Sequence, residues 1–134
     1  MIKIDNLAQF IEDAQEHFVD KYVFYNTKDH RVYVVDTIYD EDDTLDMFES
    51  NDDMVLVIVE SFSQTMFESF FDLQEETISI KLYNTFRGKG KYRKIKDLLF
   101  RLNLIDNFYA YQKAYTEKIA LKWCIDNNMP YEKK

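Results

Sequence analysis

The sequence predicts an α+β domain in which a small antiparallel sheet, a hairpin plus a third strand, packs against a cluster of C-terminal helices. Three observations point there. Short aromatic and β-branched runs of strand length fall between residues 22 and 59, bounded by polar residues. After Ser61 the apolar residues recur at three- and four-residue spacing, the helical period. The whole chain, 134 residues with 46% hydrophobic content, 11 Phe and 10 Tyr, is rich enough to bury a core and fits one domain over residues 1–134.

The elements follow in order. Leu7, Ala8, Ile11, Ala14 and Phe18 lie on one stripe of a helix over 5–19, with Asp5 or Asn6 as N-cap and Glu12, Asp13 and Glu16 facing outward. Tyr22 to Asn26 and Arg31 to Ile38 form a hairpin around Thr27-Lys28-Asp29-His30, a turn made without glycine. Residues 40–53 hold eight carboxylates and only Leu45, Met47 and Phe48 as sizeable apolar groups, which suits a short solvated helix or loop. Met54 to Val59 is a continuous apolar run between Asp53 and Glu60, the pattern of a buried third strand.

Four helical stripes complete the chain. Phe62, Met66, Phe70 and Leu73, widened by Phe67 and Phe71, make the first; Ile78, Leu82 and Phe86 make the second. Gly88 stands where a helix ends in positive φ, and Gly90 precedes the third stripe of Tyr92, Ile95, Leu98 and Leu102. The last stripe, Leu104, Phe108, Tyr111, Tyr115 and Ile119 with Trp123 beside it, belongs to one long helix that Pro130 helps to stop. Only the terminal Glu-Lys-Lys reads as frayed.

Charge divides the chain at Arg87. Residues 1–86 carry −15 and residues 87–134 carry +7, within a total of −8. Such asymmetry signals electrostatic contact, with a partner or between the halves, and names no reaction. The negative total argues against double-stranded nucleic acid, which demands broad phosphate neutralisation. No apolar run approaches the length of a membrane span, and the polar start after Met1 and the lone Cys124 suit neither export nor an internal disulfide. A cytosolic protein without membrane attachment is expected.

The segment Arg87-Gly88-Lys89-Gly90-Lys91-Tyr92-Arg93-Lys94-Ile95-Lys96 gathers six cations around a glycine pair that opens a helix. Free amides at a helix start, the positive dipole end and close backbone approach can cradle a phosphate or carboxylate, so Arg87, Gly88, Lys89, Gly90, Lys91, Arg93 and Lys94 are the candidate anion-binding residues. The plainer reading, a helix–helix turn with solvated lysines, carries more weight. The spacing is neither a Walker A loop nor a dinucleotide fingerprint. Together with Asn107-Phe108-Tyr109-Ala110-Tyr111 and Ala120-Leu121-Lys122-Trp123, the segment from Arg87 to Leu99 resembles uncharacterised protein family 0158, small and mostly bacterial proteins. The likeness covers residues 80–128, with Lys91, Ile95 and Phe108 departing from the family's usual small residue, Phe and Trp. It implies the architecture and draws attention to this segment, and it carries no activity.

Other chemistries find less support. Asp40, Asp42 and Thr44 take the first three places of a calcium loop, but its glycine is missing and Asn51 stands where the bidentate Glu belongs, so no metal is expected. His17 and His30 lack ligand partners at suitable spacing, and Cys124 reads as a packed, unreactive thiol. Serines 61, 63, 69 and 79 have no nucleophile elbow, and no catalytic residue or cofactor is assigned. Tyr83, Tyr92, Tyr109, Tyr111 and Tyr115 among Arg and Lys could stack on single-stranded bases, though at helical spacing they more often serve the core. The expectation is a non-enzymatic protein-interaction or regulatory module, engaging an unknown protein or a second copy of itself. The alternatives are a phosphate-bearing ligand or single-stranded nucleic acid at the basic helix start, and an enzyme whose constellation forms only on folding.

Overall fold

The computed structural model describes residues 1–16, 21–41, 43–57 and 61–132. The readings made for His17, Phe18, Asp42, Ile58, Val59, Glu60, the side chain of Glu16 and the terminal Lys133-Lys134 lie outside the described residues. Along the chain run β1 (Ile2–Lys3), α1 (Ile4–Glu16), β2 (Lys21–Asn26), β3 (Val32–Asp36), α2 (Thr44–Glu49), β4 (Met54–Leu56), α3 (Ser63–Asp72), α4 (Glu76–Thr85), α5 (Lys91–Arg101), α6 (Ile105–Asp126) and β5 (Tyr131–Glu132). The class is α+β, as the sequence predicts. Two compact units are present, Met1–Ser61 with Thr116–Lys134, and Phe62–Tyr115.

In the first unit the antiparallel sheet has the order β3-β2-β4. Phe24 pairs with Tyr33 and Tyr25 with Val32, and on the other edge Phe24 faces Leu56. Val23, Phe24 and Tyr25 are all buried although neighbours in a strand point to opposite faces, so both faces of β2 are covered. Phe48 of α2 packs edge-on against Phe24 and Tyr33. Trp123 of α6 meets Tyr25, on the opposite face. Leu7, Ala8 and Ile11 of α1 are buried as the stripe requires, and α1 packs against β2 and β3.

Several boundaries differ from expectation. The first helix begins at Ile4, so Asp5 sits in its first turn rather than serving as a cap; its carboxylate accepts the Asn6 N–H at 2.8 Å. The cause is a parallel β1–β5 pair, Ile2 with Tyr131 and Lys3 with Glu132, which engages the chain up to Lys3. β3 stops at Asp36, two residues short of Ile38. There the Asp36 N–H donates to Asp40 Oδ2 at 2.7 Å and the Ile38 N–H to Asp36 Oδ1 at 3.0 Å, and these carboxylates capture the amides that would continue the ladder. The turn at 27–30 forms around Asn26, whose Oδ1 accepts from the Lys28 and Asp29 N–H groups, and His30 takes positive φ (62°).

In the second unit α3, α4, α5 and the first half of α6 enclose an aromatic core. Phe67 is its hub, stacked on Phe108 at 4.5 Å between centroids and on Phe86 at 5.4 Å, with Phe71 and Tyr92 also against it. Phe70 closes on Phe108 and Tyr111. Leu73 leaves the predicted stripe and is 68% exposed, because α3 ends at Asp72 and its amide turns back to Phe70 O. Tyr83 of α4 spans back to α3, donating to Asp72 Oδ1 at 2.6 Å and lying 3.2 Å from Glu68 O. That bond to a carboxylate pushes the Tyr83 phenol up to about 12.

Two asparagines act as helix stops. Asn103 (φ 58°) follows α5 and Asn128 (φ 54°) follows α6. In each case the next residue's N–H reaches back five residues, Leu104 to Leu99 O and Met129 to Cys124 O, both at 2.8 Å. This is the Schellman arrangement with Asn in the place glycine usually takes. It turns the chain before Pro130 is reached.

Candidate interaction site

The α4–α5 connection is shaped by its two glycines. Gly88 has φ 69° and Gly90, the N-cap of α5, has φ 76°. A Cβ at either position would meet no atom within 4 Å, so glycine is required here by backbone conformation and not by crowding. The Lys91 N–H turns to Gly88 O at 3.3 Å, and the first intrahelical bond runs from the Lys94 N–H to Gly90 O at 3.0 Å. Gly90 offers no side chain to cap the helix, and the Tyr92 and Arg93 amides meet no acceptor among the described residues.

The seven residues named from the sequence do not behave as one cluster. Lys91 folds back on its own unit: its Nζ donates to Gln64 Oε1 at 2.9 Å and lies over the Phe86 ring, 4.6 Å from the centroid. Desolvation there also lifts the Tyr92 phenol above its ordinary range. Arg87 reaches Asn84 Oδ1 and Lys94 Nζ reaches Arg87 O, both at 3.4 Å, which ties the turn together. Lys89 and Arg93 are exposed and, among the described residues, have no side-chain partner.

Within this unit no cation from Arg87 to Arg101 is paired with a carboxylate; the ion pair present among the described residues, Lys122 with Asp126, belongs to the other unit. The charge placement also opposes helix stability. The first turn of α5 holds no acidic residue but Lys91, Arg93 and Lys94 beside the positive end of the dipole. Each such cation costs a few tenths of a kcal/mol, roughly, where an acid would stabilise by as much. The segment therefore concentrates positive potential at the expense of local stability.

One residue of this surface escaped the sequence reading. Phe100 is 70% exposed, and helical spacing sets it one turn beyond half-buried Lys96 and exposed Asp97 and two beyond Arg93, with Arg101 next to it; the cations outnumber the single carboxylate, and no ion pair forms with it among the described residues. The signal was available: Phe100 falls off the stripe of Tyr92, Ile95, Leu98 and Leu102. Of that stripe Ile95 and Leu98 are buried while Tyr92 is half in water, and Tyr109 of α6 is likewise exposed. An exposed aromatic ring set among unpaired cations can hold an acidic partner by charge and anchor it by apolar contact.

Elsewhere the chemistry is quiet. Cys124 is fully buried, and burial pushes its thiol up to about 11, so it stays protonated. The Tyr25 hydroxyl and His30 Nδ1 share a hydrogen bond of 2.6 Å, giving His30 a role in holding the hairpin turn. Tyr33 donates to Asp29, which holds that carboxyl below its usual range. No group of His, Cys, Asp and Glu suited to a metal occurs among the described residues, and no described helix is long and apolar enough to cross a membrane. No protein-family model, curated protein or solved structure matches the chain.

Proposed function

We propose that this chain is a non-enzymatic protein-interaction module that docks an acidic partner on the exposed face of α5. The observation carrying this reading is the set Arg93, Lys96 and Arg101 around the exposed ring of Phe100, cations that meet no carboxylate within their own unit. Opposite charge would steer the encounter and fix orientation, while the ring supplies the apolar contact that makes it last. The likeness of residues 80–128 to family 0158 belongs to the same proposal and adds no activity to it. The test is capture from cytosolic extract on the immobilised full chain, alongside an R93E/K96E/R101E variant. A stoichiometric protein retained by the native chain and lost from the variant is expected. Recovery of none, at low as well as moderate salt, overturns the reading.

A second reading rests on a different observation, the unmatched Tyr92 and Arg93 amides behind Gly90. A phosphate-bearing ligand or single-stranded nucleic acid would take those amides together with Arg87, Lys89 and Arg93. Fluorescence anisotropy with a labelled oligothymidylate tests it. Salt-sensitive binding weakened by Arg87→Ala and Arg93→Ala is expected, and equal affinity in both variants removes this alternative.

A further inference from the structure

The acidic run of the first unit has the complementary construction. The turn closed by Asp36 and Asp40 holds Ile38 and Tyr39 outward, 62% and 85% exposed, and Met47 of α2 is exposed nearby in sequence. Glu41, Asp46 and Glu49 are exposed in the same stretch, and among the described residues of this unit no lysine or arginine pairs with them. Apolar side chains standing among unpaired carboxylates match, in charge and in apolar character, an aromatic ring standing among unpaired cations. Among the described residues, neither surface has its charges paired within its own unit.

We infer that the partner docked by α5 is a second copy of this chain, which places Ile38, Tyr39, Glu41, Asp46, Met47 and Glu49 of its acidic stretch against Arg93, Lys96, Phe100 and Arg101. This rests on the interaction reading above and deepens it by naming the occupant. Because two different patches meet, the contact is either made reciprocally, giving a two-fold dimer, or head-to-tail, closing into a ring where the rotation permits and otherwise running on into longer assemblies. Screening sets its salt dependence: charges that act over about 30 Å at 0.01 M salt act over only about 8 Å at physiological strength.

Sedimentation velocity of the full chain provides the test. At about 0.02 M salt the sedimentation coefficient rises with protein concentration, and at about 0.3 M the association constant falls by an order of magnitude or more. The R93E/K96E/R101E variant and an E41K/D46K/E49K variant each stay monomeric alone, and mixing them restores a heterodimer because each keeps the surface the other lost. Phe100→Ser, which changes no charge, weakens association several-fold. A native chain that is monomeric throughout at low salt overturns the inference, as does association that survives in both reversed variants. If it is monomeric while the extract still yields a partner that R93E/K96E/R101E loses, self-association fails and the interaction reading stands.

Discussion

Phe67 of α3 and Phe100 of α5 are the same residue type in one unit, and the structure assigns them opposite consequences. Phe67 is buried at 3% exposure against Phe71, Phe86, Tyr92 and Phe108, whereas Phe100 is 70% exposed. Phe67→Ala removes on the order of 150 Å² of buried ring. At about 25 cal/mol per Å² this is worth roughly 4 kcal/mol, inside the range of about 3 to 5 kcal/mol for buried Phe→Ala. Loss of the stacked contacts adds to the cost, and partial collapse of the cavity subtracts from it. Phe100→Ala is expected to change stability by no more than about 0.5 kcal/mol, as at an ordinary surface site. Urea unfolding followed by far-ultraviolet circular dichroism measures both. If Phe67→Ala costs no more than Phe100→Ala, Phe67 is not the hub of this unit and the packing argument fails.

Gly90→Ala forces a Cβ into positive φ with open space around it, so a purely conformational loss of about 1 to 2 kcal/mol is expected in the same urea assay, and Gly90→Asn should lose less. Cys124 should react with a thiol reagent at pH 8 only as fast as the protein opens, and at the rate of a free thiol in denaturant. Its folded pKa of about 11 lies above the ordinary 9.0, so the neutral thiol is the form that folding favours. The contribution of Cys124 is therefore full below about pH 9 and is lost as pH rises towards 11; Cys124→Ala should remove that part of the alkaline decline in chemical denaturation measured from pH 8 to 11. Tyr83→Phe breaks the link to Asp72 and should cost about 1 kcal/mol by thermal or urea unfolding.

Much of the architecture was legible in the chain because it depends on local periodicity. The stripes through Leu7 and Ile11, through Met66 and Phe70, and through Ile95 and Leu98 are buried where the helical repeat puts them. The hairpin turn at 27–30 and the glycine-marked break between α4 and α5 were equally readable, since both are set by residues adjacent in sequence. The β1–β5 pair was not: two strands of two residues, joined across almost the whole chain, leave no local pattern. The exposed Ile38 and Tyr39 were hidden for a different reason. They continue a strand pattern that the Asp36 and Asp40 carboxylates interrupt, and competition between side-chain and ladder hydrogen bonds has no periodic signature.

The candidate site shows the same division. Sequence alone determined where positive charge accumulates and that Gly88 and Gly90 mark the helix boundary, because composition and positive φ belong to single residues. Only the folded unit decided which cations face solvent without a partner. Lys91 bends onto Phe86 and Gln64 while Arg93 stays in water, though the two are separated by a single residue. A side chain's destination depends on which rings and acceptors other helices bring within a few ångströms, and that is settled by packing.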